Sequence, residues 1–362
     1  MEIKTTLMYD DIDNSHFCNG STDNITCDMN LEYDEEYDEK ISKFINLTRI
    51  IMPSLFGLIT IFGLVGNVLT IAVILLHKAI RGITKYLVMN LAIADLLYVI
   101  FCVPFRAIDP VLHFWPFGDT FCRIHVYLFY VCYFAKMYIL VLISLDRYIA
   151  LVHPIRAVML RTKKTCYIAL VALWSLVILG NIPFLFMAEE VNLDPESIDE
   201  QGKVCVIHFD DAYRFSICLF LFAYLLPLFV FCVLYGPMLK VFLNGESSGQ
   251  YNNADHGRFH SKKRATKMAL LLVTVFAACW LPLQIIMIYI HVSKYVHITV
   301  TFISIIYAAE CMAFMNSCVN PILYTFYTHT CRNCIINKVC CRETIDSRRS
   351  SYSSLTTTSF ML

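Results

Sequence analysis

Asn316-Ser317-Cys318-Val319-Asn320-Pro321-Ile322-Leu323-Tyr324 ends the last of seven long apolar segments, and Asp146-Arg147-Tyr148 ends the third. Amide, carboxylate and guanidinium groups are costly in hydrocarbon, so polar signatures inside such segments point to function rather than packing. Two more interrupt apolar runs: Asn90-Leu91-Ala92-Ile93-Ala94-Asp95 in the second segment and Cys279-Trp280-Leu281-Pro282 in the sixth. Outward from these, the segments run near Ile51 to Leu76, Leu87 to Ala107, Phe121 to Val152, Cys166 to Met187, Ile217 to Leu243, Met268 to Ile290 and Ile298 to Phe326. Each has the roughly 20 residues a helix needs to cross a bilayer core of about 30 Å. The expected fold is therefore an all-α membrane protein, a seven-transmembrane helix bundle.

Composition agrees. With 58% hydrophobic and 16% charged residues over 362, and a mean hydropathy of +0.60, the chain is too apolar for a soluble protein of its size. The net charge of +0 conceals an asymmetry. Acids crowd the head at Asp10, Asp11, Asp13, Asp34, Glu35, Glu36, Asp38 and Glu39, and recur in the loop before the fifth segment. Basic residues collect in alternate connections, at Arg81 and Lys85, Arg156 to Lys164, Arg258 to Lys267 and Arg332 to Arg349. That alternation puts the N-terminus outside and the C-terminus in the cytoplasm.

No cleavable leader is visible in the polar first residues, so the first segment is expected to direct insertion. Asn19, Asn24 and Asn46 head glycosylation acceptor triplets, consistent with an extracellular head. Residues 1–50 form that acidic head, expected to be disordered and to steer cationic ligands. Tyr33 and Tyr37 stand among acids, read either as sulfation sites or as part of a solvated tail, and Cys18 with Cys27 either bridge locally or stay free. The bundle takes residues 51–327. Residues 328–341 form a short amphipathic helix on the membrane surface, and residues 342–362 a disordered Ser/Thr-rich cytoplasmic tail.

A rise of about 1.5 Å per residue lets depths be compared between segments. Lys136 stands on the order of 16 Å outward from Arg147, and Asp95 about as far from the inner end of its own segment, with Asn67 and Asn316 at comparable depth. An isolated ammonium or carboxylate there is prohibitive, so the simplest solution is a buried Lys136–Asp95 pair among amides. The other reading has Lys136 facing elsewhere or neutral through desolvation. Glu310, about 24 Å above Phe326, reaches the floor of an outward-opening cavity. There it either pairs with a cationic group of a ligand or takes an internal partner, Arg106 or His125. Phe129, Tyr133, Trp115, Gln284 and Tyr307, with Tyr127, Tyr130 and Tyr289, line the same space or pack. Pro183, Pro227, Pro282 and Pro321 each remove a helical hydrogen bond and permit a hinge.

Together these signatures resemble the rhodopsin-like (class A) G-protein-coupled receptors across nearly the whole chain. Cys102-Val103-Pro104-Phe105, Phe114-Trp115-Pro116-Phe117-Gly118-Asp119, Ser144 through Tyr148 with His153-Pro154, and Met315 through Cys318 look most like the allatostatin A receptors, with galanin receptors next. Gln284 fits the former, while Glu310 replaces a histidine usual in both groups. The resemblance implies an extracellular neuropeptide ligand and activation of heterotrimeric G proteins, with a lean toward the inhibitory class. It implies a switch through Trp280, Phe276 and Pro282, continued by Asn316, Asn320, Pro321, Tyr324 and Tyr235, with Asp146, Arg147, Tyr148 and Ile155 meeting the G protein. Lys262 stands where some relatives place an acid to lock Arg147. Lys136 departs from the family, whose small hydroxyl residue there helps Asp95 hold sodium; here the ammonium takes the ion's place.

Cys122 and Cys205 both lie on the oxidising side, and a bridge between them, as in the resembled family, is expected to pin the loop before the fifth segment over the bundle. Cys340 and Cys341 are candidate palmitoylation sites that would bind membrane lipid. The tail from Ser347 to Ser359 suits receptor kinases and, once phosphorylated, arrestin. Cys331 stands where the family usually has Phe.

Phe129 replaces the aspartate that anchors monoamines, and Phe314 stands where opsins carry their retinal lysine. Chemokine receptors, with an acid at Glu310 and acidic heads, are the alternative within the fold. A transporter using Asp95 and Lys136 as a proton relay is a more remote one, for no internal repeat accompanies it. No nucleophile elbow, metal spacing, phosphate loop or cofactor motif indicates an enzyme, and no nucleic-acid partner is expected.

Overall fold

The computed structural model describes residues 35–77, 82–112, 114–192, 203–207, 212–247, 253–293 and 299–327. Asn19, Asn24, Tyr33, Cys18, Cys27, residues 328–341 with Cys340 and Cys341, for which a surface helix is expected, and residues 342–362 lie outside these residues, as do the side chains of Tyr37 and Tyr324. Among the described residues seven helical stretches have the length and apolarity to cross a membrane. The first span is α1 (Glu35–His77); the second is α2 (Thr84–Phe101) and α3 (Val103–Leu112), parted at Cys102, two residues before Pro104; the third is α4 (Gly118–Val152). After the short inner helix α5 (Pro154–Leu160), the fourth comprises α6 (Lys163–Gly180) and α7 (Phe184–Met187), parted at Pro183. The fifth is α8 (Ala212–Phe220), a π-turn (Leu221–Leu225) and α9 (Leu226–Ser247); α10 (Asn253–Val292) and α11 (Val300–Tyr327) are the sixth and seventh.

Residues 35–50, expected to be disordered, are helical. Ile41, Phe44, Ile45 and Thr48 are half-buried at helical spacing, and a Lys43–Glu39 pair at 2.6 Å adds support one turn apart, so the apolar face of the span continues into the head. Asn46 lies exposed on this extension.

The third span is the axis of the bundle: 61% of its apolar window is buried, against 22% for the fourth and fifth spans. Large apolar side chains such as Phe62, Leu75, Leu176 and Phe229 stay exposed because hydrocarbon, not water, is their solvent. The first span closes on its neighbours through glycine. A Cβ on Gly66 would lie 2.9 Å from Pro321 Cβ and Cγ, and one on Gly63 would lie 2.8 Å from Val99.

Pro227 offers no N–H to the carbonyls one turn before it, and there the fifth span widens into its π-turn. Two tyrosines of the third span repair the deficit: Tyr138 donates to the Phe222 carbonyl at 3.1 Å and Tyr133 to that of Ala223 at 3.2 Å. Tyr224, within the π-turn, donates onward to Ala277 of the sixth span at 3.0 Å.

Over the outer face lies an antiparallel hairpin of β1 (Ala188–Asn192) and β2 (Lys203–Ile207), with Glu190 opposite Cys205. The Cys122–Cys205 disulfide ties it to the top of the third span. Asp119 accepts the Glu190 N–H at 3.0 Å, and Trp115 donates its backbone N–H to Lys203 at 2.6 Å.

Candidate functional site

Polar side chains gather at three depths of the bundle. In the middle, Asp95 and Lys136 are both fully buried, with Nζ 3.8 Å from Oδ1. Lys136 donates to Ser317 Oγ at 3.1 Å, and Asn320 donates to the other carboxylate oxygen, Oδ2, at 2.7 Å. The ammonium also lies 3.5 Å from the centroid of Tyr98 and 5.8 Å from that of Trp280. Ring faces of that kind stabilise a desolvated cation by about 2 kcal/mol. The expected pair is therefore present, with Lys136 turned toward Asp95. The amides around it differ in part from those that depth alone selects: Asn67 donates to the backbone carbonyls of Gly63 and Ser317 rather than to the carboxylate, and Asn320 takes the place beside Asp95. Asn316 is buried one position before Ser317.

Toward the outside, Glu310 is fully buried and Arg106 nearly so, their Oε1 and Nη2 2.8 Å apart. Of the two readings of Glu310, the structure contains the internal partner Arg106, while His125 Nδ1 is 3.2 Å from the Phe101 carbonyl. Gln284 donates to the Tyr133 hydroxyl at 3.1 Å, and the Tyr133 ring centroid is 4.2 Å from that of Trp280. Thus Gln284, Tyr133 and the freed Ala223 carbonyl form one chain of hydrogen bonds across the sixth, third and fifth spans. Phe129 packs on Tyr98 and Trp280 at 5.7 and 6.5 Å. Tyr307 is half-buried against the same core, whereas Trp115 sits higher, stacked on Phe121 at the mouth. Phe276 lies below Trp280 at 5.9 Å, and Pro282 lies within the same helix.

At the inner end Asp146 and Arg147 form a direct ion pair, with Arg147 Nε 3.1 Å from Oδ2. Thr84 donates to the same oxygen at 3.1 Å and accepts from Arg147. Arg161 adds a second guanidinium, Nε 2.7 Å from Asp146 Oδ1. Tyr235 lies 3.3 Å from Ser144 Oγ, and Tyr148 3.2 Å from His153 Nε2. Lys262 is half-buried near the inner end of the sixth span. On α5, Ile155, Val158 and Met159 are 86%, 82% and 77% exposed. Their spacing makes one apolar stripe on α5, at the Arg147 end of the bundle.

Ser317, Tyr98, Thr84, Arg161, Val158 and Met159 are absent from the sequence-derived site. Tyr98 carried a signal, since it follows Asp95 by three residues and shares its helix face. So did Val158 and Met159, at helical spacing from Ile155. Thr84 and Arg161 carried none.

Residues 66–324 match the model of the 7 transmembrane receptor (rhodopsin family). With seven spans, the outer disulfide and this geometry in hand, the chain belongs to that family of G-protein-coupled receptors, a multi-pass protein of the plasma membrane and not an enzyme. It is similar to the Allatostatin-A receptor of Bombyx mori, 37% identical over 306 residues that make up 84% of this chain and 82% of the relative. It is also similar to Galanin receptor 2b of Danio rerio, 28% identical over 314 residues, 81% of this chain and 78% of the relative.

Proposed function

We propose that this chain is a plasma-membrane receptor for an extracellular neuropeptide of the allatostatin-A or galanin kind, and that ligand binding drives nucleotide exchange on heterotrimeric G proteins of the inhibitory class. The observation that carries the reading is the 37% identity to an Allatostatin-A receptor over 306 residues, 84% of the chain.

Glu310, Arg106, Phe129, Tyr133, Trp115, Gln284 and Tyr307 supply the ligand cavity. A peptide seated there works on Trp280 directly and through Tyr133, whose ring lies 4.2 Å away. Trp280 passes its movement to Phe276 and the Pro282 hinge, and to the ammonium of Lys136, the fixed counter-ion of Asp95. From there Asn316, Asn320, Pro321 and Tyr324 carry it inward. Arg147 leaves Asp146 as the sixth span swings out, and Tyr235 and Tyr324 line the opened crevice. The stripe of Ile155, Val158 and Met159 docks the G protein, an apolar helix face into a groove.

The head faces outward with glycans on Asn19, Asn24 and Asn46. The cytoplasmic end lies on membrane lipid through residues 328–341 and palmitoyl groups at Cys340 and Cys341, and its phosphorylated tail recruits arrestin after receptor kinases act.

The test is to express the full chain, apply allatostatin-A, galanin and other amidated neuropeptides alongside folded chemokines, and record the release of several G proteins. A short peptide that lowers cyclic AMP in a pertussis-toxin-sensitive way is the expected result. Activation by a chemokine alone would replace the ligand class, and substrate flux without nucleotide exchange would replace the receptor reading by a transporter.

A further inference from the structure

Asp146 has two cationic partners, and one of them, Arg161, lies outside the third span. Arg161 directly follows α5 and lays its guanidinium along the carboxylate, Nε 2.7 Å from Oδ1 and Nη2 3.3 Å from Oδ2. Arg147 and Thr84 also donate to Oδ2, each at 3.1 Å. The three charged side chains differ in exposure: 6% for Asp146, 10% for Arg147 and 27% for Arg161. The root of Arg161 is fixed as well. Its backbone N–H closes the last turn of α5 on the Ala157 carbonyl at 3.0 Å, and the next residue, Thr162, caps α6 by accepting the Thr165 N–H at 3.1 Å.

A buried carboxylate with a single cationic partner resists losing it, because the departure leaves the charge bare in a poorly solvated place. Asp146 escapes that constraint. When Arg147 withdraws, two N–H donors of Arg161 remain on the carboxylate, one on each oxygen, in the fork geometry suited to it. From this geometry we infer that Arg161 is a positioning residue for G-protein activation, acting through Asp146: it keeps the carboxylate neutralised while Arg147 leaves, and so makes the inner face easier to open. The inference rests on the receptor reading of the chain. It assigns Arg161 the opposite sense to a lock, since a second cation on the shared carboxylate weakens the hold on the first.

The experiment uses the purified full chain with spin labels at the inner ends of α4 and α10, together with nucleotide exchange per receptor in membranes holding a co-expressed G protein. Arg161→Gln keeps a polar side chain but removes the charge. It is expected to lower the open fraction and the exchange rate by about tenfold. Arg161→Lys, with a charge but no fork, falls between Arg161→Gln and wild type, and serves as the reading if the glutamine variant folds poorly. In an Asp146→Asn background, Arg161→Gln is expected to have no further effect, because no carboxylate remains to be neutralised. Opening equal to or greater than wild type in Arg161→Gln overturns the inference. So does an equal fall in exchange with or without Asp146, which would make Arg161 a direct contact of the G protein. If the label distances respond as expected while wild type catalyses no exchange, the receptor reading fails and the role of Arg161 in opening stands.

Discussion

Two buried aspartates, Asp95 and Asp146, organise this molecule, and they are built differently. Asp95 is fully enclosed and has one ammonium at 3.8 Å, one amide at 2.7 Å and, around that ammonium, the faces of Tyr98 and Trp280. Asp146 lies at the edge of the bundle with two guanidiniums and a hydroxyl, all three in direct hydrogen bonds. The first arrangement has a single cation among the described residues, so its charge balance is a condition of folding. The second has a surplus, and a surplus is what permits exchange of partners. Charge in a membrane protein is thus a fixed constraint or a movable part according to how many partners surround it.

The largest expected effect falls on the constrained site. Lys136→Ser strands Asp95 and should cost about 3 to 5 kcal/mol, read as lost surface expression and a lower melting temperature of the purified chain. Asp95→Asn combined with Lys136→Ser should be milder than Lys136→Ser alone; simple additivity would dissolve the pair. At the movable site Arg147→Ala should reach the surface and bind ligand, yet lower nucleotide exchange by about a hundredfold. Normal exchange in that variant would remove the inner ion pair from the mechanism.

A smaller effect follows from Thr84, whose hydroxyl touches both members of the inner pair. Thr84→Val should weaken the closed arrangement by about 1 kcal/mol and raise ligand-free exchange by about fivefold. Unchanged basal exchange would show that the hydroxyl is incidental. The smallest effect is an expected zero: replacing sodium chloride by choline chloride should leave agonist affinity unchanged, because the Asp95 counter-ion is covalently part of the chain. Sodium inhibition of agonist binding in the wild type would contradict that.

The seven spans were legible because a bilayer imposes a simple rule on apolar length, and Lys136 and Asp95 because an ionisable group at that depth is rare. Depth is a one-dimensional coordinate, and it ranked Asn67, Asn316 and Asp95 together. Which amide turns toward the carboxylate depends on rotation about each helix axis, and that selected Asn320. The same ambiguity left Glu310 between a ligand and Arg106. Arg161 was invisible for another reason: it sits in a basic run that the positive-inside rule already explains, and only the turn between α5 and α6 brings it to Asp146. The outer hairpin was missed because its strands, five residues each, lie in a loop read for its acidity and its cysteine.

The contact of Gly66 with Pro321 ties the identity of one residue to the packing of another span's hinge. Pro321 frees the seventh helix to bend, and a Cβ at Gly66 would stand 2.9 Å from the proline ring, so the first span fits against that hinge only because position 66 carries no side chain. The missing methyl works as clearance in a joint, and even an alanine there would have to push the two helices apart.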